Sequence, residues 1–192
     1  MTILRDAVLV IDIEATCWYK QKNPPNQRSE IIEIGICRYD LASGEISDNR
    51  GILVQPTESQ VSEFCTELTT ITPELLDKEG VSFADALTIL RDDYHSEHRL
   101  WMSWGNYDRR MFIEQCQRRD MAYPFTDNHC NLKNLFANFY RNRLGTKAAM
   151  NKIGLEMQGT HHRGVDDAHN IARILHYLLE THGNDILDSF WE

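Results

Sequence analysis

The segment Val8–Thr16 reads VLVIDIEAT, an apolar run that carries two acids. A strand is predicted over Val8–Ile13. Its period of two puts Asp12 and Glu14 on the same face as Val8 and Val10, with Leu9, Ile11 and Ile13 on the other. Two like charges ~7 Å apart along one strand face repel. Burying them costs on the order of several kcal/mol per ion unless something compensates. A solitary D-x-E more often marks a strand that ends before its acids, so this pair needs partners from elsewhere in the chain.

Outward from this strand, Lys20–Ser29 (KQKNPPNQRS) is a polar loop with a Pro-Pro pair. Ile31–Tyr39 reads as a second strand. The turn LASGE at Leu41–Glu45 leads to a third run around Gly51–Val54, giving an antiparallel meander. The pattern then becomes helical. Thr72-Pro73 opens a short helix over Pro73–Leu76, with proline at the first helical position. Ser82 caps a helix through about His95 that turns Phe83, Ala86, Leu87 and Leu90 inward. Leu100–Trp104 is a short strand. Helices follow over Asn106–Arg119, Leu132–Arg141, about Ala148–Leu155, and Val165–Thr181. This order predicts an α/β fold: a mixed sheet, with a meander of three strands plus parallel strands, flanked by helices. The length of 192 residues predicts a single domain over residues 1–192.

Composition bounds the function. Hydrophobic residues at 42% and charged residues at 26% exclude a disordered or collagen-like chain. Twenty Lys and Arg against 29 Asp and Glu give a net charge of −9, which argues against a long basic groove tracking nucleic acid. A nucleic-acid enzyme whose positive charge comes from bound metal stays open. The apolar run Ala7–Ile11 is too short to span a membrane, and no signal-peptide pattern is visible. Cys17, Cys37, Cys65, Cys116 and Cys130 are odd in number and show no paired spacing, which predicts reduced thiols in a cytoplasmic protein.

Two further acids repeat the theme of Asp12 and Glu14. Asp167 heads an apolar stripe of Ile171, Ile174, Leu175 and Leu178, whereas its neighbour Asp166 aligns with Asn170, Arg173 and Tyr177. Asp167 is therefore expected to point inward, and Asp166 to serve the helix's N-terminal turn. Asp108 follows the strand LWMSW and opens a helix whose stripe continues through Met111, Phe112, Gln115 and Cys116. That is the carboxyl end of a sheet strand, where α/β folds place their sites. Four acids from three segments, each aimed at an apolar side, match the charge of two divalent cations. Oxygen-only ligands suit Mg²⁺ or Mn²⁺ rather than zinc. Paired metals ~3.5–4 Å apart serve in-line phosphoryl displacement. His162, in the glycine-containing segment THHRGVDD, can act as a general base at neutral pH.

These residues resemble the DEDDh family of 3′–5′ exonucleases. Its first motif is IDIEAT with Asp12 and Glu14, its second WGNYDRRMF with Asp108, and its third HRGVDDAHNIA with His162 and Asp167 at the H-x₄-D spacing. DIEATC, EIIEIG, SEFCTELTTIT and HRGVDDAHNIARI are similar to the ERI-1-like branch. The resemblance implies a ribonuclease H-like fold and two Mg²⁺ ions, with Mn²⁺ able to substitute. It implies that Asp12, Glu14 and Asp167 hold one metal, that Asp12 bridges to the second, and that Asp108 assists through water. His162 would accept the proton of the attacking water, and a nucleoside 5′-monophosphate would leave. The partner implied is the 3′ end of single-stranded RNA or DNA. Its terminal nucleoside would lie against Glu14, Ala15 and Thr16, with Phe64, Ile71 and Tyr107 walling the base and His162 nearby. Tyr107 stands where some relatives carry tryptophan. Members of the branch often bear an extra nucleic-acid-binding module at the N-terminus, and the seven residues before the first expected strand predict that none is present here. A non-catalytic binding module on the same fold and a zinc hydrolase using His161 or His162 with aspartates are the competing readings, beside a DNA exonuclease or an oligoribonuclease of the same family. The chain lacks HExxH, which weighs against the second.

Overall fold

The computed structural model describes residues 3–191, arranged around a five-stranded sheet. The elements are β1 (Leu4–Ala15), β2 (Ile31–Asp40), β3 (Ile46–Leu53), α1 (Glu63–Thr69), α2 (Pro73–Glu79), α3 (Phe83–Tyr94), β4 (Arg99–Ser103), α4 (Tyr107–Arg118), β5 (His129–Asn131), α5 (Leu132–Tyr140), α6 (Thr146–Lys152) and α7 (Gly164–His182). The sheet order is β3-β2-β1-β4-β5. β3, β2 and β1 are antiparallel, and β4 and β5 join β1 in parallel. The expected mixed sheet is the one observed.

β1 runs further in both directions than Val8–Ile13. Its acidic end stays paired, Asp12 opposite Gly35 and Glu14 opposite Glu33, before the register shifts between Glu14 and Ala15. Bulges of this kind terminate pairing and re-aim side chains next to functional sites. The two faces divide as the alternation requires. Val8 and Val10 pack with Met102, Phe136 and the Ile171, Ile174, Leu175 and Leu178 stripe of α7. Leu9, Ile11 and Ile13 pack with Phe83, Leu87 and Leu90 of α3 and Phe112 of α4. Full burial of each such side chain contributes about 1.5–3 kcal/mol, so the central strand is fixed from both sides.

Helix starts follow the caps. Ser82 accepts from the Asp85 N–H, and Thr72 from the Leu75 N–H with Pro73 in the first turn. α2 continues to Glu79, three residues beyond the expected end. Two elements had no forecast: α1, whose start Ser62 caps through the Cys65 N–H, and the three-residue β5. No helix among the described residues is long and apolar enough to cross a membrane. All five cysteines are free, and four of them are buried.

Candidate active site

β1 supplies Asp12 and Glu14, and α7 supplies Asp167. The three meet because the start of α7 lies directly on β2. A side chain at Gly35 would stand 1.8 Å from the Gly164 carbonyl oxygen, and one at Gly164 would stand 3.0 Å from the Asp12 carbonyl oxygen. Only two glycines allow the helix and the strands to approach this closely. One carboxylate oxygen from each of Asp12, Glu14 and Asp167 lies within 4.8 Å of the others. Asp108 stands outside that group, in the first turn of α4. Its Oδ1 accepts the Ile13 N–H at 3.1 Å, which binds it to β1 between the two strand acids. Asp167 is 4% exposed, Asp108 5% and Glu14 9%, so these are buried carboxyls rather than solvated ones, and Asp12 is half-buried.

The electrostatics follow from that burial. Desolvation holds the Asp12 carboxyl well above the usual carboxylate range, and Asp108, Asp167, Glu14 and Glu33 add repulsion. Glu14 is pushed up to about 9, first by burial and then by Asp167 and Glu33. Burial also raises Asp108, against hydrogen bonds from Ile13 and Ser103 that favour its charged form. Among the described residues no lysine or arginine pairs with any of the four; the nearby Arg163 pairs with Glu33 instead. An all-oxygen donor set with uncompensated negative charge fits a hard divalent cation.

The histidine pair divides its tasks in a way the sequence did not show. His162 adopts φ +64°, and its backbone N–H donates to Asp167 Oδ2 at 2.8 Å. The neighbouring His161 directs Nδ1 at Asp167, 3.1 and 3.2 Å from the two carboxylate oxygens, and stacks on the His162 ring at 4.0 Å. Burial and His161 lower the His162 pKa, and Asp167 opposes them, so the imidazole is held toward its neutral, proton-accepting form. Asp166 lies in the first turn of α7, as expected. Its Oδ2 accepts the Thr160 N–H at 2.8 Å and so braces the loop ahead of α7.

Glu33 was missed by sequence reasoning. Fully buried on β2 opposite Glu14, it accepts Arg163 Nη2 at 3.1 Å, Arg163 Nε at 3.2 Å and the Gly164 N–H at 2.7 Å. It clamps the residue after His162 to the sheet. The available signal was a third acid inside an apolar strand, in EIIEIG.

The expected base pocket is partly altered. Tyr107, at the head of α4, is 46% exposed, and Phe64 on α1 is half-buried. Ile71 is fully buried with Ile32, Cys65 and Leu76 and leaves no exposed surface for a base to meet. Ala15 and Thr16 close the end of β1. The Thr16 hydroxyl is committed to Ser59 and the Glu30 N–H, both at 2.9 Å.

The family model described as Exonuclease, RNase T, matches residues 9–175. Among curated proteins, 3′–5′ exoribonuclease 1 of Rattus norvegicus is 32% identical over 187 residues, which cover 91% of this chain and 53% of that protein. The chain thus spans about half the length of that relative. Among solved structures, the nuclease domain of 3′hExo, a DEDDh family member bound to rAMP, superposes with a TM-score of 0.83 at 29% identity, covering 95% of this chain and 96% of that one. A 3′-exonuclease described with 3′-end-specific recognition of a histone mRNA stem-loop gives 0.82 at 30% identity, covering 92% and 83%.

Proposed function

The chain belongs to the RNase T exonuclease family, and on that premise we propose that it removes nucleotides one at a time from the 3′ end of single-stranded RNA by metal-dependent hydrolysis, releasing nucleoside 5′-monophosphates. The observation that carries the reading is the meeting of Asp12, Glu14 and Asp167 within 4.8 Å, Glu14 and Asp167 buried and Asp12 half-buried, with no lysine or arginine among the described residues paired to them. These three would hold a divalent cation, Mg²⁺ or Mn²⁺, with Asp12 shared by a second and Asp108 in support. When bound, such a pair supplies Lewis acidity and the positive charge that lets an anionic phosphodiester enter a site built from acids.

The chain's own residues do the rest. His162 accepts the proton of the attacking water, and its lowered pKa keeps the ring able to do so at neutral pH. Asp167 couples the two tasks, because the carboxylate offered to the metal also holds the His162 backbone. Tyr107 and Phe64 offer aromatic faces to the terminal base, and stacking of this kind contributes ~1–3 kcal/mol without demanding a sequence. RNA is the favoured substrate because the similar 3′hExo domain is described with rAMP and a further relative with an mRNA stem-loop. Residues 1–192 act in this reading as one catalytic domain. Free, mostly buried cysteines support a reducing compartment such as the cytoplasm.

The test is a time course on matched 5′-labelled RNA and DNA oligonucleotides in Mg²⁺, Mn²⁺ or EDTA. A ladder that shortens from the 3′ end of RNA with either metal, but not in EDTA, is expected. No shortening with either metal overturns the reading. Shortening of DNA alone overturns the choice of RNA.

A further inference from the structure

We propose that the loop of residues 17–29 and the outer face of α4 form a short track for the nucleotides upstream of the 3′ terminus, with Lys20, Lys22, Arg28 and Arg110 meeting their phosphates and Tyr19 stacking a base. The inference rests on the exonuclease reading for its direction and goes beyond it in naming where the rest of the strand lies.

Charge is the first observation. Although the chain carries −9, residues 15–29 contain no acid, and Lys20, Lys22 and Arg28 are all exposed. None of these three makes an ion pair among the described residues, whereas Arg38, Arg50, Arg91 and Arg99 each do. Arg110 has only the exposed Glu114, at 3.7 Å. The cations are therefore available to an external anion.

Shape is the second. A depression of about 730 Å³ between this loop and α4 is lined by Arg28, Arg110, Gln117, Arg118 and Tyr107 among others, with Glu114 the one acid in its wall. A second hollow of about 520 Å³, lined by Trp18 and Gln21, shares Asn23, Ser29, Tyr107 and Arg110 with it, so the two are continuous. Tyr107, which lines both hollows, immediately precedes Asp108, and Cys17, which lines the second, follows Glu14 by three residues, so the depression adjoins the segments that carry two of the acids. A strand whose last phosphodiester lies among the acids thus meets this depression next.

Aromatic chemistry is the third. Tyr19 is 65% exposed, and its ring meets Phe64 edge-on at 5.8 Å, extending the expected base wall outward. Lys20 Nζ lies 5.2 Å from the Tyr19 ring, and the Arg110 guanidinium 5.5 Å from the Tyr107 ring. Cations interleaved with exposed aromatic faces are how single strands are held without sequence readout. An acidic peptide would use the cations and leave the rings idle, so a nucleic acid is the better occupant.

The experiment follows fluorescence anisotropy of a 5′-labelled RNA of about twelve nucleotides, in Ca²⁺, across a salt series. Lys20→Glu/Lys22→Glu/Arg28→Glu is expected to weaken binding by more than about tenfold at low salt and to reduce the slope of log K against log [salt] by about 2, the share of three phosphate contacts on a single strand. Lys20→Arg/Lys22→Arg/Arg28→Lys should restore both, and Tyr19→Ala should weaken binding with the slope kept. Affinity and slope unchanged by the charge reversal, or no measurable binding by the wild type, overturn the track. In a parallel cleavage series in Mg²⁺, KM for the wild type should fall as substrate lengthens from a dinucleotide, and this dependence should flatten in the reversed variant. Charge-dependent binding without any cleavage would leave the track standing and overturn the exonuclease reading. Cleavage whose length dependence survives the reversal does the opposite.

Discussion

At the scale of single residues, the site turns on acids largely withdrawn from water. Glu14 has a raised pKa of about 9, above its unfolded value near 4.5. Metal-free stability is therefore lost as pH rises above the unfolded value, and at pH 7 the cost is up to about 3 kcal/mol. Glu14→Gln should accordingly stabilise the protein in EDTA at pH 7 and much less at pH 5, as read by urea midpoints; a variant less stable than wild type at pH 7 would contradict this. Asp12→Asn and His162→Ala should each lower turnover by about a hundredfold or more, the scale of a lost general base. Asp166→Ala should cost far less, because its carboxylate faces the Thr160 N–H and not the acid cluster. Equal losses at Asp166 and Asp167 would refute the distinction. That distinction was legible in the sequence, since helical periodicity separates adjacent aspartates. The H-x₄-D spacing marked His162, but the contact of His161 with Asp167 was not legible, because the pair precedes α7 and no periodicity reaches it. Glu33 went unread because an acid paired through long-range contacts to Arg163 and Gly164 leaves no local pattern beyond its own oddity.

At the scale of elements, the site exists because α7 is pressed onto β1 and β2. Gly35→Ala tests this. The added carbon would meet backbone atoms of Gly164 at 1.8 and 1.9 Å, which no rotamer change can relieve. The variant should lose stability by about 1–3 kcal/mol or more and lose metal-dependent stabilisation with it, as α7 moves away and carries Asp167 from Asp12. Thermal melts with and without Mg²⁺ read both; a Gly35→Ala protein that keeps the full metal-induced shift would contradict the close-packing argument. The strands of the meander and the long helices were legible because their alternation or apolar stripes run for many residues. α1 was not: it is seven residues long, and Thr66 and Thr69 are β-branched residues that favour other conformations. β5, at three residues, is too short for any alternation to register.

At the scale of the whole molecule, net charge was the least informative quantity in the sequence. A net charge of −9 conceals both the acids of the site and the acid-free cationic stretch of residues 15–29, and only the fold shows that the segments carrying them lie side by side. Global stability carries its own pH signature. His129 lies 4.2 Å from the Trp101 ring with Nε2 3.0 Å from Ser103 Oγ, and burial, aided by Arg109, pushes its pKa down to about 4. The unfolded chain binds the proton more readily, so this contribution is present above about pH 6.5 and is lost as pH falls toward 4, roughly 3 kcal/mol in all. Denaturant midpoints at pH 7 and pH 5 should differ less in His129→Phe than in the wild type; equal differences would contradict the assignment.

The central claim is that the acid cluster is a metal site in which Glu14, raised to about 9, holds a proton until a cation arrives. Isothermal titration calorimetry of the protein with Mg²⁺ or Mn²⁺ at pH 7, repeated in buffers of different ionisation enthalpy, tests it most directly. Saturable binding with net proton release, the release reduced in Glu14→Gln and the binding lost in Asp12→Asn, is the result expected. Binding that releases no protons, or that survives Asp12→Asn undiminished, would contradict it.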